Sequence, residues 1–379
     1  MKKWIIVLTF CISVFALVAI AFANGKTKAY YVYVACESED EVALVRFDGT
    51  DATVAKKIPV GVWPVEIEGP HGLTISPDGK HWYLSMAHGI PFGHVYKYET
   101  GTDKLLGRVE LGLFPATMQI SPATGLLYVV NFNLHGDHVP SSVSIVDTDA
   151  MEEIDRIETG VMPHGSRISP DGMKQYSVAM MDDRLFELDA LSFEITRTLN
   201  VNKNAITDGD HAGMAHGEMK GKMEHGNMKN GGKPAKPTWV YPHPKGTYVY
   251  VANNGAAEII EIDVEAWQVT RRFETAPGPY NLEVSMDNKY LVASYKTDAS
   301  TGIWDLKKGK ELAKIPNSRK VTHGVTISPD SKFAFVSVEG KGGEPGSVDV
   351  IDLKKRKLVA VAEVGKQAGG IVFWKMAEE

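Results

Sequence analysis

The stretch LTISPDGKHWYLSM (Leu73–Met86) decides the fold. Pro-Asp-Gly is turn chemistry, and apolar and aromatic residues alternate on both sides of it, so the stretch predicts two strands joined by a tight turn. The phrase recurs as MQISPATGLLYVVN (Met118–Asn131), SRISPDGMKQYSVA (Ser166–Ala179), LEVSMDNKYLVAS (Leu282–Ser294) and VTISPDSKFAFVSV (Val325–Val338). WVYPHPKGTYVYVANN (Trp239–Asn254) is a diverged copy. A third strand usually follows and ends near Asp, as in SSVSIVDTDA (Ser141–Ala150) and GSVDVIDLKK (Gly346–Lys355). A fourth ends in a turn, as in EEIDRIETG (Glu152–Gly160). Four short strands per repeat make a propeller blade.

The second strand of the repeat occurs seven times, beginning near Tyr30, His81, Leu126, Lys174, Thr247, Lys289 and Lys332. Most spacings are about 40 to 50 residues, as four-stranded blades require. The long interval between Lys174 and Thr247 holds an insertion, 203–236, between the fourth and fifth blades. The chain enters at a second strand, YYVYVA (Tyr30–Ala35), and finishes with AGGIVFWK (Ala368–Lys375), which matches the first-strand phrase. The expectation is an all-β, seven-bladed propeller, closed by the C-terminal strand joining the first blade.

The repeated S-P-D-G turns, with YVYVANN (Tyr248–Asn254) and YVYVA (Tyr31–Ala35), resemble the YVTN-type β-propeller repeat family. The resemblance spans nearly all of the chain after its first residues. It implies kinship with the propeller domains of nitrous oxide reductase and cytochrome d1 nitrite reductase, with lactonase-like propellers and with pure binding scaffolds. No cupredoxin or c-type haem domain accompanies the repeats, so neither reductase is complete here.

The N-terminus has Lys2 and Lys3, an apolar run from Trp4 to Ile20 and a small-x-small site at Ala21-Phe22-Ala23. This pattern reads as a signal peptide over 1–23, with 24–379 as the propeller and a periplasmic or otherwise exported location. The alternative is an uncleaved anchor, because the apolar run is long. With cleavage no membrane span is expected. Cys36 is then the single cysteine left, so no internal disulfide forms, and the absence of C-x-x-C-H excludes covalent haem. A net charge of −6 without a basic stripe argues against nucleic-acid binding.

Chain direction places the histidines. If innermost strands begin on top and run down to the S-P-D-G turn, connections after second strands and between blades lie on top. Ten of the twelve histidines fall there; His81 and His243 fall near the bottom turns. His71, His164 and His323 precede the innermost strands of the second, fourth and seventh blades, in PHGLTISP, PHGSRISP and THGVTISP. Ala116, Thr238, Tyr280 and Gly369 occupy the equivalent positions of the others. These three imidazoles would ring the channel mouth, each followed by a Gly that would permit an unusual backbone approach. Three converging imidazoles make a metal site with open positions. His88, His135 and His138 lie in neighbouring top loops and are further candidate metal ligands, and His94 begins a third strand. The bland reading is turn chemistry, with each ring capping a carbonyl. Arg167, Glu66 and Glu68 could add charge at the mouth, or serve as ordinary salt bridges.

The insertion carries H-x2-M-x-H-x2-M-x3-M-x-H-x2-M: His211, Met214, His216, Met219, Met223, His225 and Met228. Gly, Lys, Glu and Asn fill the gaps, so no hydrophobic core explains these methionines. Thioether sulfur selects soft ions, Cu(I) above all, and imidazole accepts either copper oxidation state. The segment is similar to the Met/His-rich stretches of periplasmic copper-resistance proteins. Copper is therefore the expected ligand, used in metal handling or redox chemistry. An incidental low-complexity linker is the alternative. Two other functions compete: a scaffold docking a periplasmic partner protein on its top face, and a lactonase-like hydrolase using His71 or His164 with Asp182 or Asp183. No nucleophile elbow, phosphate loop or dinucleotide fingerprint is present.

Overall fold

The computed structural model describes residues 28–63, 65–88, 92–203 and 233–379. They form seven four-stranded antiparallel sheets arranged as blades around an axis. Among the described residues the only helical turn is Glu37–Glu39, and no helix is long and apolar enough to cross a membrane.

The recurring turn explains the recurring phrase. In four copies the serine hydroxyl bonds the aspartate two residues on: Ser76 to Asp78, Ser169 to Asp171, Ser285 to Asp287 and Ser328 to Asp330, at 2.5–2.7 Å. The same serine then accepts an N–H from the strand that follows, as with His81 and Tyr290. Gly79 and Gly172 supply the left-handed residue that the turn needs. The aspartates that end third strands do similar work at the next turn. Asp48, Asp147 and Asp189 each accept two backbone N–H groups two and three residues on.

Blade one pairs the C-terminal strand Ala368–Glu378 with Lys28–Cys36, followed by Glu41–Phe47 and Ala52–Pro59. The ring thus closes as expected. The core lies between faces of adjacent blades, where alternate residues of each strand interdigitate. Between blades one and two, Trp82 stacks on Tyr98 at 4.0 Å and on Tyr33 at 5.2 Å.

Near the axis the blades touch through backbone. A Cβ on Gly72 would sit 1.8 Å from the Ala116 carbonyl oxygen, and one on Gly165 would sit 2.5 Å from Trp239 Cα. Neither glycine has a positive φ. The glycine after each ring histidine is therefore there because the next blade leaves no room for a side chain. The expected unusual backbone conformation does not occur.

Side-chain hydroxyls stitch this tier together. Ser85 donates to the Ala116 carbonyl, Thr238 to that of Tyr280 and Ser294 to that of His323, at 2.6–3.0 Å. Thr117 and Ser337 do the same for the His164 and Gly369 carbonyls. Five carbonyls of the histidine tier are thus satisfied by the preceding blade.

Candidate functional site

The innermost strands Pro70–Ile75, Pro163–Ile168 and Val321–Ile327 begin on top, so His71, His164 and His323 occupy one level around the channel mouth. All three line a single cavity of about 30 Å³, together with Trp239, Asn281 and Arg167 among others. That volume holds a water or two or an ion, and no larger ligand.

The three rings are not equivalent. His164 is fully enclosed, and its Nδ1 lies 2.7 Å from the Thr238 carbonyl oxygen. A carbonyl only accepts, so Nδ1 carries the proton. Nε2 then accepts from the Tyr280 hydroxyl at 2.8 Å. Both nitrogens are occupied, and burial pushes the imidazole down to about 3, so it is neutral. Here the bland reading prevails: His164 takes the place of a serine or threonine in the inter-blade hydrogen bonding.

His71 and His323 differ. Their ring centres are 5.9 Å apart with planes at 89°. Nδ1 of His71 faces Glu37 Oε2 at 3.0 Å, which leaves Nε2 free of that bond. His323 is buried, and burial pushes it far below the usual imidazole range, helped by the charge of Lys296. Its Nε2 is 3.8 Å from Glu339, while its buried Nδ1 makes no hydrogen bond of good geometry, the Gly369 backbone being the polar group that its ring approaches.

Glu37 joins a second histidine. Its Oε1 lies 2.6 Å from His88 Nε2. Burial would raise the Glu37 carboxyl, but His71 and His88 outweigh it and hold it down at about 2. The hydrogen bond that His88 donates to Glu37 pushes His88 up, against its burial. His135 packs on His88 and Phe114 with ring centres 5.6 and 5.4 Å apart, and is exposed. His138 is exposed and joins no cluster among the described residues. His94 lies near Glu110 at 3.9 Å, away from this group, and burial pushes it down.

Sequence reasoning missed the partners. Glu37, Lys296 and Glu339 occupy one register position, the residue after the second-strand partner of Ala368, Pro279 and Thr322, which each precede the histidine-tier position. The others there are Ala87, Phe132, Met180 and Asn254. Aligning the repeats at this position exposes a charged sector on blades six, seven and one. Lys296 lies 3.4 Å from Glu339 and 4.4 Å above the Tyr280 ring. Burial opposes its charge, but Tyr280 and Glu339 outweigh burial and push its pKa up. Burial likewise raises Glu339, with Lys296 pulling the other way.

Other expected site residues hold structure. Glu68 accepts the Trp63 N–H at 2.7 Å, and Glu66 is exposed. Asp182 accepts the Val161 N–H at 2.6 Å. Asp183 takes the Lys236 N–H and the Asn202 amide, both at 2.8 Å. Neither aspartate bonds His71 or His164, so the drafted hydrolytic pairs are not assembled. Asp183 sits in a top loop, so the described ends of the insertion are fastened at the top rim. His211, Met214, His216, Met219, Met223, His225 and Met228 lie outside the described residues, as does the expected signal segment. Among the described residues, no three His, Cys, Asp or Glu side chains are grouped to hold a metal ion.

No protein-family model matches the chain. Antigen Lp49 of Leptospira interrogans is 29% identical over 127 residues, 31% of this chain and 25% of that protein. The chain therefore spans about a quarter of that relative's length. Among solved structures, the periplasmic gluconolactonase of Pseudomonas aeruginosa is 17% identical with a TM-score of 0.67, covering 92% of this chain and 99% of that one. A putative 6-phosphogluconolactonase of Bacteroides fragilis is 15% identical with a TM-score of 0.63, covering 91% and 98%. Hydrazine synthase of Kuenenia stuttgartiensis is 20% identical with a TM-score of 0.58, covering 78% and 80%. These likenesses show the seven-bladed fold.

Proposed function

We propose that this chain is an exported, copper-binding propeller of the YVTN-repeat type. The observation that carries the reading is the pair His71 and His323. Two imidazoles sharing one ion, with metal–nitrogen bonds of about 2.0 Å, have ring centres about 5 to 6 Å apart, and these stand 5.9 Å apart. The buried Nδ1 of His323 makes no hydrogen bond of good geometry, with only the Gly369 backbone near its ring, and a cation would complete it. Glu37, bonded to His71 Nδ1, would orient that ring and raise its basicity, as carboxylates behind ligating histidines do. Of the three histidines at this level two keep a ring nitrogen for a ligand, and a soft monovalent ion of low coordination number suits such a pair. Bound copper would supply a redox couple or a cargo to be passed on. By its sequence, the Met/His-rich segment 211–228 is a second copper-binding element, and the described residues that flank it are fastened at the same rim.

Titration of the mature chain with Cu(I) and Cu(II) tests this. His71→Ala and His323→Ala should each weaken one class of site by at least about tenfold, and deletion of 204–232 should remove another. Unchanged copper stoichiometry in all three variants would refute the reading.

A scaffold function is favoured by a different observation. Val62, Trp63, Val65 and Ile67 are 43–87% exposed in one top connection, with Leu134 and Val139 exposed in another. Such apolar surface marks protein-interaction sites. Failure to bind copper, with capture of a partner lost on Trp63→Ser, would favour it. The lactonase reading has only the fold likeness behind it.

A further inference from the structure

Below the histidine tier the channel carries another set of inward residues. Register places Arg167, Tyr241 and Glu283 at one level, with Gln119 on the neighbouring strand. Arg167 divides the channel: it lines both the small upper cavity and a separate lower pocket of about 250 Å³. Pro122, Pro170, Pro244 and Met286 come from the bottom turns, so the lower pocket opens on the face opposite the histidines.

Arg167 is a deep cation short of partners. One guanidinium nitrogen donates to the Ser166 carbonyl at 2.7 Å, and the group lies 4.4 Å over the Trp239 ring. Among the described residues no carboxylate forms an ion pair with it. The acid whose charge acts on it is Glu283, whose Oε1 accepts the Ile327 N–H at 3.1 Å. Burial pushes that carboxyl up to about 7, with Ile327 and Arg167 pulling only part of the way back. A guanidinium has five N–H donors, and a buried cation without a counter-charge is costly. Its remaining donors border cavity space.

We propose that the lower channel is a binding site for a small monocarboxylate with an apolar body, held by Arg167. The guanidinium fork matches a carboxylate by two parallel hydrogen bonds. The walls from Pro122, Ile168, Pro170, Pro242, Pro244 and Met286 suit an apolar body. The volume falls below that of drug-sized sites, about 300–1,000 Å³, and limits the ligand to one ring or a short chain. A dianion is disfavoured, because Arg167 is the single cation lining the pocket and Glu283 stands beside it. The Gln119 carbonyl already accepts the Ile168 N–H at 2.9 Å, so its amide NH2 is the group left to donate.

Benzoate is the probe, followed by ligand-observed NMR and calorimetry on the mature chain. The site predicts saturable binding at least about tenfold tighter than benzyl alcohol, which keeps the body and removes the charge. Arg167→Met should abolish the preference for benzoate. Met286→Trp should block binding while leaving Arg167 in place; Met286 is 61% exposed, so this variant should fold. His71→Ala should change nothing, which separates this site from the copper reading. The proposal is overturned by no saturable benzoate binding, by equal affinity for benzyl alcohol, or by undiminished binding in Met286→Trp.

Discussion

Replacing Glu283 by Gln should stabilise this propeller, and increasingly so as pH rises. The carboxyl lies deep in the protein, with part of its surface on the channel. Burial raises it from 4.5 to about 7 in the folded chain. The folded state therefore holds a proton that the unfolded state has released throughout that interval. For a group whose folded pKa is raised, the contribution to stability is fully present below the unfolded value. It is lost as pH climbs through the folded value. Each pH unit of difference corresponds to about 1.4 kcal/mol, so the cost of ionising Glu283 in place approaches about 3 kcal/mol. Channel water would reduce that figure. Gln keeps the shape and can still accept the Ile327 N–H, but carries no charge. Urea or thermal unfolding of both proteins between about pH 5 and pH 8 gives the comparison. The advantage of Glu283→Gln should grow by about 2 to 3 kcal/mol across that range. A difference that stays constant, or shrinks toward alkaline pH, would refute the assignment of a buried, proton-holding carboxyl.

Three further outcomes follow from the packing. Gly72→Ala places a methyl group against the Ala116 carbonyl; forcing the blades apart should cost at least about 1–3 kcal/mol, read as a lowered midpoint of unfolding. Tyr280→Phe keeps the ring but removes the hydroxyl bonded to His164 Nε2. Stranding that buried acceptor should cost about 1–3 kcal/mol, and the His164 nitrogen resonances should report a bare Nε2. Asp183→Ala removes the anchors of Asn202 and Lys236, and should speed proteolytic cleavage within the 204–232 insertion, measured by limited digestion.

The blades were legible because their signals are local. Strand alternation, the Ser–Asp turn bond of four copies and the aspartate that ends most third strands all act within a few residues, so the repeats announce themselves. The level of His71, His164 and His323 was also legible, because register carries equivalent positions to the same height. What each histidine does there was not. His164 is consumed by Thr238 and Tyr280, residues 74 and 116 positions away, and only the closed ring brings them together. Glu37, Lys296 and Glu339 share a register position that Ala87, Phe132, Met180 and Asn254 fill in the other blades, so no consistent letter marks it. The glycines illustrate the same limit: their pattern was visible, but the cause is a neighbouring blade's backbone. Arg167 and Glu283 stand in repeats that otherwise read as plain strand.

The most direct test of the copper account is anomalous scattering at the copper edge from crystals of the copper-loaded mature chain. The account predicts a peak on the channel axis within bonding distance of His71 and His323, absent in a His323→Ala crystal. Copper found only elsewhere, with the space between those two rings empty, would contradict it.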